Sequence, residues 1–220
     1  MTQAALLIKA PRDGEVKTRL ARSIGPELAT KIYCALVERQ LAQVPTAWQI
    51  AIHFAPSEAE AEMRSWLDRF ASDRADTGLP NRYDFVPQPK GDLGARLISA
   101  MNRGFASGAD LLFFLGGDCP GLTTSYLQQA EAALARTDMI IAPARDGGYV
   151  LLGLRKPVTS IFQEIRWSSE SVFTSTLQKA MAAGLSVHCL PMLEDVDNLE
   201  SYERQRDMLK ILPTNNGTGV

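Results

Sequence analysis

Apolar residues along the chain fall into two recurring patterns, short unbroken runs and helical stripes. Residues 4–10, 110–115 and 138–143 are runs closed by Pro or Gly, and 150–154 is a fourth run. Such runs predict strands buried on both faces of a sheet. Residues 48–55 alternate, with Ile50, Ile52 and Phe54 opposite Gln49, Ala51 and His53, and predict a strand with unequal faces. Two further short strands are expected at 83–86 and 185–190. The stripes lie between these runs. Leu28, Ile32, Ala35 and Leu36 predict a helix over 26–43, which Pro26 suits at its first turn. Ser57 and Glu60 form a capping-box pattern ahead of Met63, Trp66, Leu67 and Phe70. A helix carries Leu97, Ile98, Met101 and Phe105, and Thr123 to Ser125 can cap another that ends near Arg136. Ser168 to Ser171 start a helix bearing Phe173, Leu177, Ala180 and Met181, and the last helix covers 199–212. Residues 161–167 fit neither pattern. Residues 72–82 read as a polar loop and 213–220 as a frayed tail. Strands alternating with helices predict one α/β domain over 1–212, with three α/β/α layers around a mostly parallel sheet. The strands at 138–143 and 150–154, separated by a Gly-Gly turn, are expected to be neighbours.

Composition changes this picture little. The 220 residues suit one domain, and 45% apolar with 22% charged residues is ordinary for a globular protein. A net charge of −2 gives no basic field for nucleic acid or an anionic membrane. Cys34, Cys119 and Cys189 are odd in number and widely spaced, so a reducing cytoplasm is expected rather than a disulfide framework. His53 and His188 are too far apart in sequence to suggest a His-rich metal site. The apolar stretch before Lys9 is too short for a signal segment, and no run approaches bilayer length.

The candidate chemistry lies in loops that follow strand-like runs, where ligands bind in open α/β sheets. After the apolar run 111–115, Gly116 and Gly117 precede Asp118, Cys119 and Pro120. The glycines let the backbone bend and a ligand approach. Asp118 is either a turn residue or a ligand for a divalent cation carrying a phosphorylated substrate. The first loop offers Arg12, Lys17 and Arg19, which can grip phosphates or form a solvated basic loop. It is not a P-loop, because Val16 stands at the second glycine. Asp195 and Asp197 form a late acidic turn; Asp197 matches a helix N-cap, and paired with Asp118 it could hold Mg²⁺. Asp146, Gly147 and Gly148 either contact an acceptor or join two strands. Trp167 and the serines after it read as packing and capping residues, His53 as a packed or surface residue, and Cys119 as a small buried side chain.

Taken in order, Lys9-Ala10-Pro11, Lys17-Thr18-Arg19-Leu20, Gly117-Asp118-Cys119-Pro120-Gly121-Leu122, Asp146-Gly147-Gly148-Tyr149, Trp167-Ser168 and Asp195-Val196-Asp197-Asn198-Leu199 resemble a family. It is the glycosyltransferase-like family called "transferase 1, radical-SAM/selenodomain-associated", and the likeness covers about residues 4–205. That family is similar to 2-phospholactate and molybdenum-cofactor guanylyltransferases. The resemblance implies the GT-A, or nucleotide-diphospho-sugar transferase, fold. It implies that Lys17 acts in catalysis and, with Arg12 and Arg19, holds a triphosphate. Asp118, also catalytic, and Asp197 would bind Mg²⁺ or Mn²⁺, and Gln88 with Gly91 to Gly94 would meet the base. Asp146, Gly147 and Gly148 would face the acceptor. The implied activity is nucleotidyl transfer to a small phosphorylated acceptor with release of pyrophosphate. Glycosyl transfer from a nucleotide sugar, or nucleotide binding without turnover, are the alternatives. The implied partners are a nucleotide and a small molecule, not nucleic acid or membrane, and the chain would be a monomer or homodimer. The Leu-Ala-Gly-Gly start of sugar nucleotidyltransferases is absent, and the Asp-x-Asp of glycosyltransferases is reduced to Gly117-Asp118-Cys119.

Overall fold

The computed structural model describes residues 1–72 and 83–209. The loop expected at 72–82 therefore lies outside the described residues but for Ser72, and so do the tail at 213–220 and the end of the last helix. Seven strands form one sheet: β1 Thr2–Lys9, β2 Gln49–Ala55, β3 Tyr83–Pro87, β4 Leu111–Leu115, β5 Met139–Pro143, β6 Tyr149–Leu154 and β7 Val187–Cys189. Their order is β3-β2-β1-β4-β6-β5-β7. All neighbours are parallel except β6, which runs antiparallel to both β4 and β5. The expected neighbour pair is thus present, with β6 inserted between β4 and β5.

The helices are α1 Thr18–Ile24, α2 Pro26–Gln43, α3 Glu60–Ser72, α4 Leu93–Ala106, α5 Thr124–Leu134, α6 Val172–Ala182 and α7 Leu199–Leu209. Because strand side chains alternate between faces, Leu6 and Ile8 join one core and Ala5 the other. The first core takes Val37 of α2, Leu67 of α3 and Leu127 of α5, with Trp48 stacked on Phe113 at 4.4 Å. The second takes Leu97 and Met101 of α4, Ala180 of α6, and Ile161 and Phe162 of a 3-10 turn at Thr159–Phe162. That turn covers only Ile161 and Phe162 of the segment that fitted neither pattern. The result is a single α/β domain of three layers.

Several local expectations are corrected. Leu28 is exposed, because α2 buries Ala29, Ile32, Tyr33, Leu36 and Val37 between the sheet and α1. The capping box does not form: α3 begins at Glu60, and Ser57 Oγ reaches only Glu58. Strand β2 buries both faces, His53 included. Helix α6 starts at Val172 with Ser171 at its N-cap position, within the expected start, but Met181 faces outward while Val172, Thr176 and Ala180 are buried. A short helix, α1, follows Lys17 where a loop was expected.

Candidate active site

The topology gathers the polar loops at one edge. Chain direction diverges between β1 and β4, the switch point where a cleft opens in such sheets. The ends of β1, β4, β5 and β7 lie at that edge. Because β6 runs back, its start lies there too, so the turn of Asp146, Gly147 and Gly148 joins them.

Asp118 follows β4 through Gly116 and Gly117. At Gly117 the close neighbour is α2, since a Cβ there would stand 2.6 Å from Val37 Cγ2. This glycine therefore admits a helix, where the sequence suggested a ligand. The Asp118 carbonyl accepts the Val196 N–H at 2.9 Å, which ties the late acidic turn to this loop. Asp118 Oδ2 accepts from Lys17 Nζ at 2.9 Å, and the Lys17 side chain is almost wholly buried. Lys17 has φ 45°, a left-handed backbone that aims the residue at the start of α1. Arg19 Nη1 donates to Asp197 Oδ2 at 2.5 Å.

Asp197 is not the cap of α7. Asn198 is, with its Oδ1 accepting the Ser201 N–H at 3.0 Å, and the Asp197 carboxylate is left to the cleft. Asp195, in the same turn, faces Asp118 and Asp146. Burial first, then those two carboxylates, push its carboxyl up to about 6, against the opposing pull of Lys17. A cation beside it would favour the ionised form, so this donor set fits a hard divalent ion. Among the described residues no three His, Cys, Asp or Glu side chains converge closely enough to cage a metal. An ion that shares its coordination with phosphate oxygens and water, as Mg²⁺ does, asks for fewer protein carboxylates than a full cage.

A cleft of about 630 Å³ spans this region. It is lined by Asp118, Asp195, Asp197 and Arg19, with Asp146, Trp167 and Glu170 among the others, and the Asp146 turn packs against the Glu170 backbone. The Asp146 turn is held by its own carboxylate, which accepts the Gly148 N–H at 2.9 Å, and by the Phe173 N–H, donated to the Gly147 carbonyl at 2.9 Å. Trp167 and Ser168 are residues the sequence reading took as packing and capping, and Glu170 belongs to the stretch it took as a helix start. The left-handed φ of 59° that turns the chain at Ser168 has no sequence signal. The thiol of Cys119 is buried and pushed up to about 12, which leaves it inert as a nucleophile.

A second cleft of about 410 Å³ opens at the ends of β1, β2 and β3. Lys9, Lys90 and Arg96 line it with Gln88, Glu15 and Glu58. Arg96 Nε is buried there without a hydrogen-bond partner. Of the residues expected to hold the nucleotide, Gln88 lines this cleft, whereas Arg12 and Gly94 line neither cleft. Arg12 turns away, its Nε donating to Glu62 of α3 at 3.0 Å. Gln88 spends its amide on the Ile8 and His53 carbonyls at 3.2 and 2.6 Å, and its oxygen accepts from Arg96. Gly94 is buried in the first turn of α4, against the Phe162 carbonyl and the Trp167 indole.

A family model described as "uncharacterized protein conserved in bacteria (DUF2064)" matches residues 40–169, more than half of the chain. The chain belongs to the DUF2064 family. The matched span of the DUF2064 family includes Asp118, Asp146 and Trp167 and leaves out Lys17, Arg19, Asp195 and Asp197. Among curated proteins none matches. Among solved structures, a candidate nucleotide-diphospho-sugar transferase from Desulfovibrio desulfuricans G20 is 27% identical, with a TM-score of 0.79 over 96% of this chain and 98% of that one. A 4-diphosphocytidyl-2C-methyl-D-erythritol synthase from Anaerococcus prevotii DSM 20548 superposes with a TM-score of 0.60 at 12% identity, over 95% and 99% of the two chains. Rv0371c of Mycobacterium tuberculosis H37Rv, in complex with manganese, gives 0.54 at 16% identity over 96% and 100%. The last two share the fold alone. The fold is that of nucleotide-diphospho-sugar transferases.

Proposed function

We propose that this protein is a metal-dependent transferase for a nucleoside triphosphate or nucleotide sugar, and that nucleotidyl transfer to a small acceptor is its reaction. The observation that carries this reading is the pairing of Lys17 with Asp118 at the sheet's switch point, with Asp195 and Asp197 alongside. Cations that suit phosphate oxygens and carboxylates that suit a divalent ion meet there. The manganese complex of Rv0371c and the sequence likeness to guanylyltransferases support the same assignment. The basic half-cleft at Lys9, Lys90 and Arg96 is the place for the nucleoside end.

In this scheme Lys17 and Arg19 hold the triphosphate, while Asp118, with Asp197 and Asp195, holds Mg²⁺ or Mn²⁺. The metal, when bound, neutralises phosphate charge and polarises the attacked phosphorus. An ionised phosphate-type oxygen of the acceptor, which has no proton to lose, attacks the α-phosphorus beside the Asp146 turn, the bond to the bridging oxygen breaks, and pyrophosphate leaves. Positioning and charge neutralisation supply the catalysis, so no dedicated general base is needed. Asp118→Asn is expected to abolish Mg²⁺-dependent nucleotide binding in calorimetry while the circular dichroism spectrum stays unchanged. Undiminished binding would remove Asp118 from the metal site. The name of the 27%-identical relative favours a second reading, glycosyl transfer. Free pyrophosphate as product supports the first reading and free nucleoside diphosphate the second.

A further inference from the structure

The cations and the carboxylates of the Asp118 cleft are paired with one another. Lys17 Nζ lies 2.9 Å from Asp118 Oδ2, and the Lys17 side chain is only 6% exposed. Arg19 Nη1 lies 2.5 Å from Asp197 Oδ2. Among the described residues neither cation has a second side-chain partner. Lys17 stands at the N-cap position of α1 and Arg19 in its first turn. The backbone around them is tied down. The Lys17 carbonyl accepts the Ala21 N–H at 2.8 Å, and the Asp118 carbonyl accepts the Val196 N–H at 2.9 Å. Leu20 of α1 and Val196 belong to one buried cluster. Helix α1, the acidic turn and the β4 loop thus form one packed unit, in which side chains rather than backbone are left to change partners.

In the proposed reaction the same four groups have other tasks, the carboxylates with a divalent ion and the cations with phosphates. A divalent ion arriving by itself meets carboxylates whose charge is already matched. It also meets the buried Lys17 ammonium, a near like charge with little water to screen it. A triphosphate arriving by itself meets cations already matched, with Asp118 and Asp197 as near like charges. Arriving together, the two ligands exchange partners with the protein, metal for carboxylate and phosphate for cation, and every charge stays matched. We infer that the Lys17–Asp118 and Arg19–Asp197 pairs act as a latch, which makes the site take metal and triphosphate as a pair and disfavours either one alone. The inference rests on the transferase reading and adds a means of regulation to it. Lys17 is the stronger half of the latch, because Arg19 is largely exposed and water screens its pair.

The test measures Mn²⁺ by itself, through loss of its free-ion electron paramagnetic resonance signal, in the wild type, Lys17→Met and Arg19→Gln. Met keeps the length of the buried lysine stem without its charge. Lys17→Met is expected to bind Mn²⁺ alone about tenfold more tightly than the wild type, and Arg19→Gln more tightly by a smaller factor. Calorimetry then takes ATP, GTP, CTP and UTP in turn, each with Mn²⁺ and each in EDTA. The gain in nucleotide affinity that Mn²⁺ brings should be large in the wild type and shrink in Lys17→Met, because a coupling between two ligands acts on both alike. A merely structural ion pair would lower the thermal midpoint when broken and leave Mn²⁺ no better bound. Mn²⁺ held by Lys17→Met no more tightly than by the wild type, or an undiminished gain in that variant, would overturn the inference. If circular dichroism shows Lys17→Met unfolded, Arg19→Gln decides at its exposed position, and unchanged Mn²⁺ affinity there overturns the latch. Failure of the wild type to bind any of the four nucleotides with Mn²⁺ counts against the transferase reading, while the Mn²⁺ titrations still judge the latch.

Discussion

At the scale of single residues, charge and burial decide what each titratable group can do. His53 sits in the middle of β2 at 2% exposure, and burial, helped by nearby Arg103, lowers its imidazole to about 4 from 6.5. It is a neutral packed residue, not a base. Its folded value lies below its unfolded one, so the unfolded chain binds the extra proton between those values. Stability from this group is therefore full above pH 6.5 and is lost as pH falls toward 4, by about 3 kcal/mol at most. Urea titrations from pH 8 to pH 4 should show that loss in the wild type and a flatter profile in His53→Gln. Lys17 shows the opposite economy. A left-handed backbone at a non-glycine residue costs about 1 kcal/mol, and the ion pair of the buried Lys17 side chain with the half-exposed Asp118 holds it in place.

Elements are placed by contacts that their own sequences do not reveal. Gly94 illustrates this. In a helix a glycine normally weakens the structure, and alanine there would stabilise by up to about 1 kcal/mol. Here a Cβ would stand 2.5 Å from the Phe162 carbonyl and 3.0 Å from Trp167 Nε1. Helix α4 could keep the new side chain only by pushing away the 3-10 turn and the cleft wall. Gly94→Ala is therefore expected to destabilise by about 2 kcal/mol or more, read as a lower thermal midpoint, with Trp167 fluorescence shifted. A rise in the midpoint would show that this packing is slack. The cap of α7 teaches the same lesson. Asp197 matches the capping pattern, yet Asn198 performs the capping, and the one-residue difference leaves Asp197 facing Arg19 and the cleft.

For the whole molecule, the reversed strand β6 matters most. By running back between β4 and β5 it brings Tyr149 and the turn of Asp146 to the same edge as Asp118, so the cleft there is lined by five carboxylates against two in the cleft at β1 to β3. The halves should respond separately to distant charge changes. Lys90 is exposed and lines the basic half alone, so Lys90→Glu should weaken nucleotide binding several-fold, more at low salt, and leave Mg²⁺ binding at the Asp118 cleft unaffected. Equal weakening of both ligands would show that the halves act as one. No helix among the described residues is long and apolar enough to cross a membrane.

By itself the sequence determined the layered α/β architecture, most strand positions and the short list of carboxylates and cations at the loop edge. Those features follow from local periodicity and from turn residues that stop each run. The pairing of Lys17 with Asp118 was not local: 101 positions separate the two residues, and only the docking of α1 against the β4 loop joins them. The left-handed turn at Ser168, the diversion of Arg12 to Glu62 and the use of Gln88 as a strap likewise depend on partners far along the chain. Tertiary structure also decided that Asp195 belongs beside Asp118 and Asp146. Burial and neighbouring charge arise only when separate loops share one cleft, and periodicity along a chain carries no record of them.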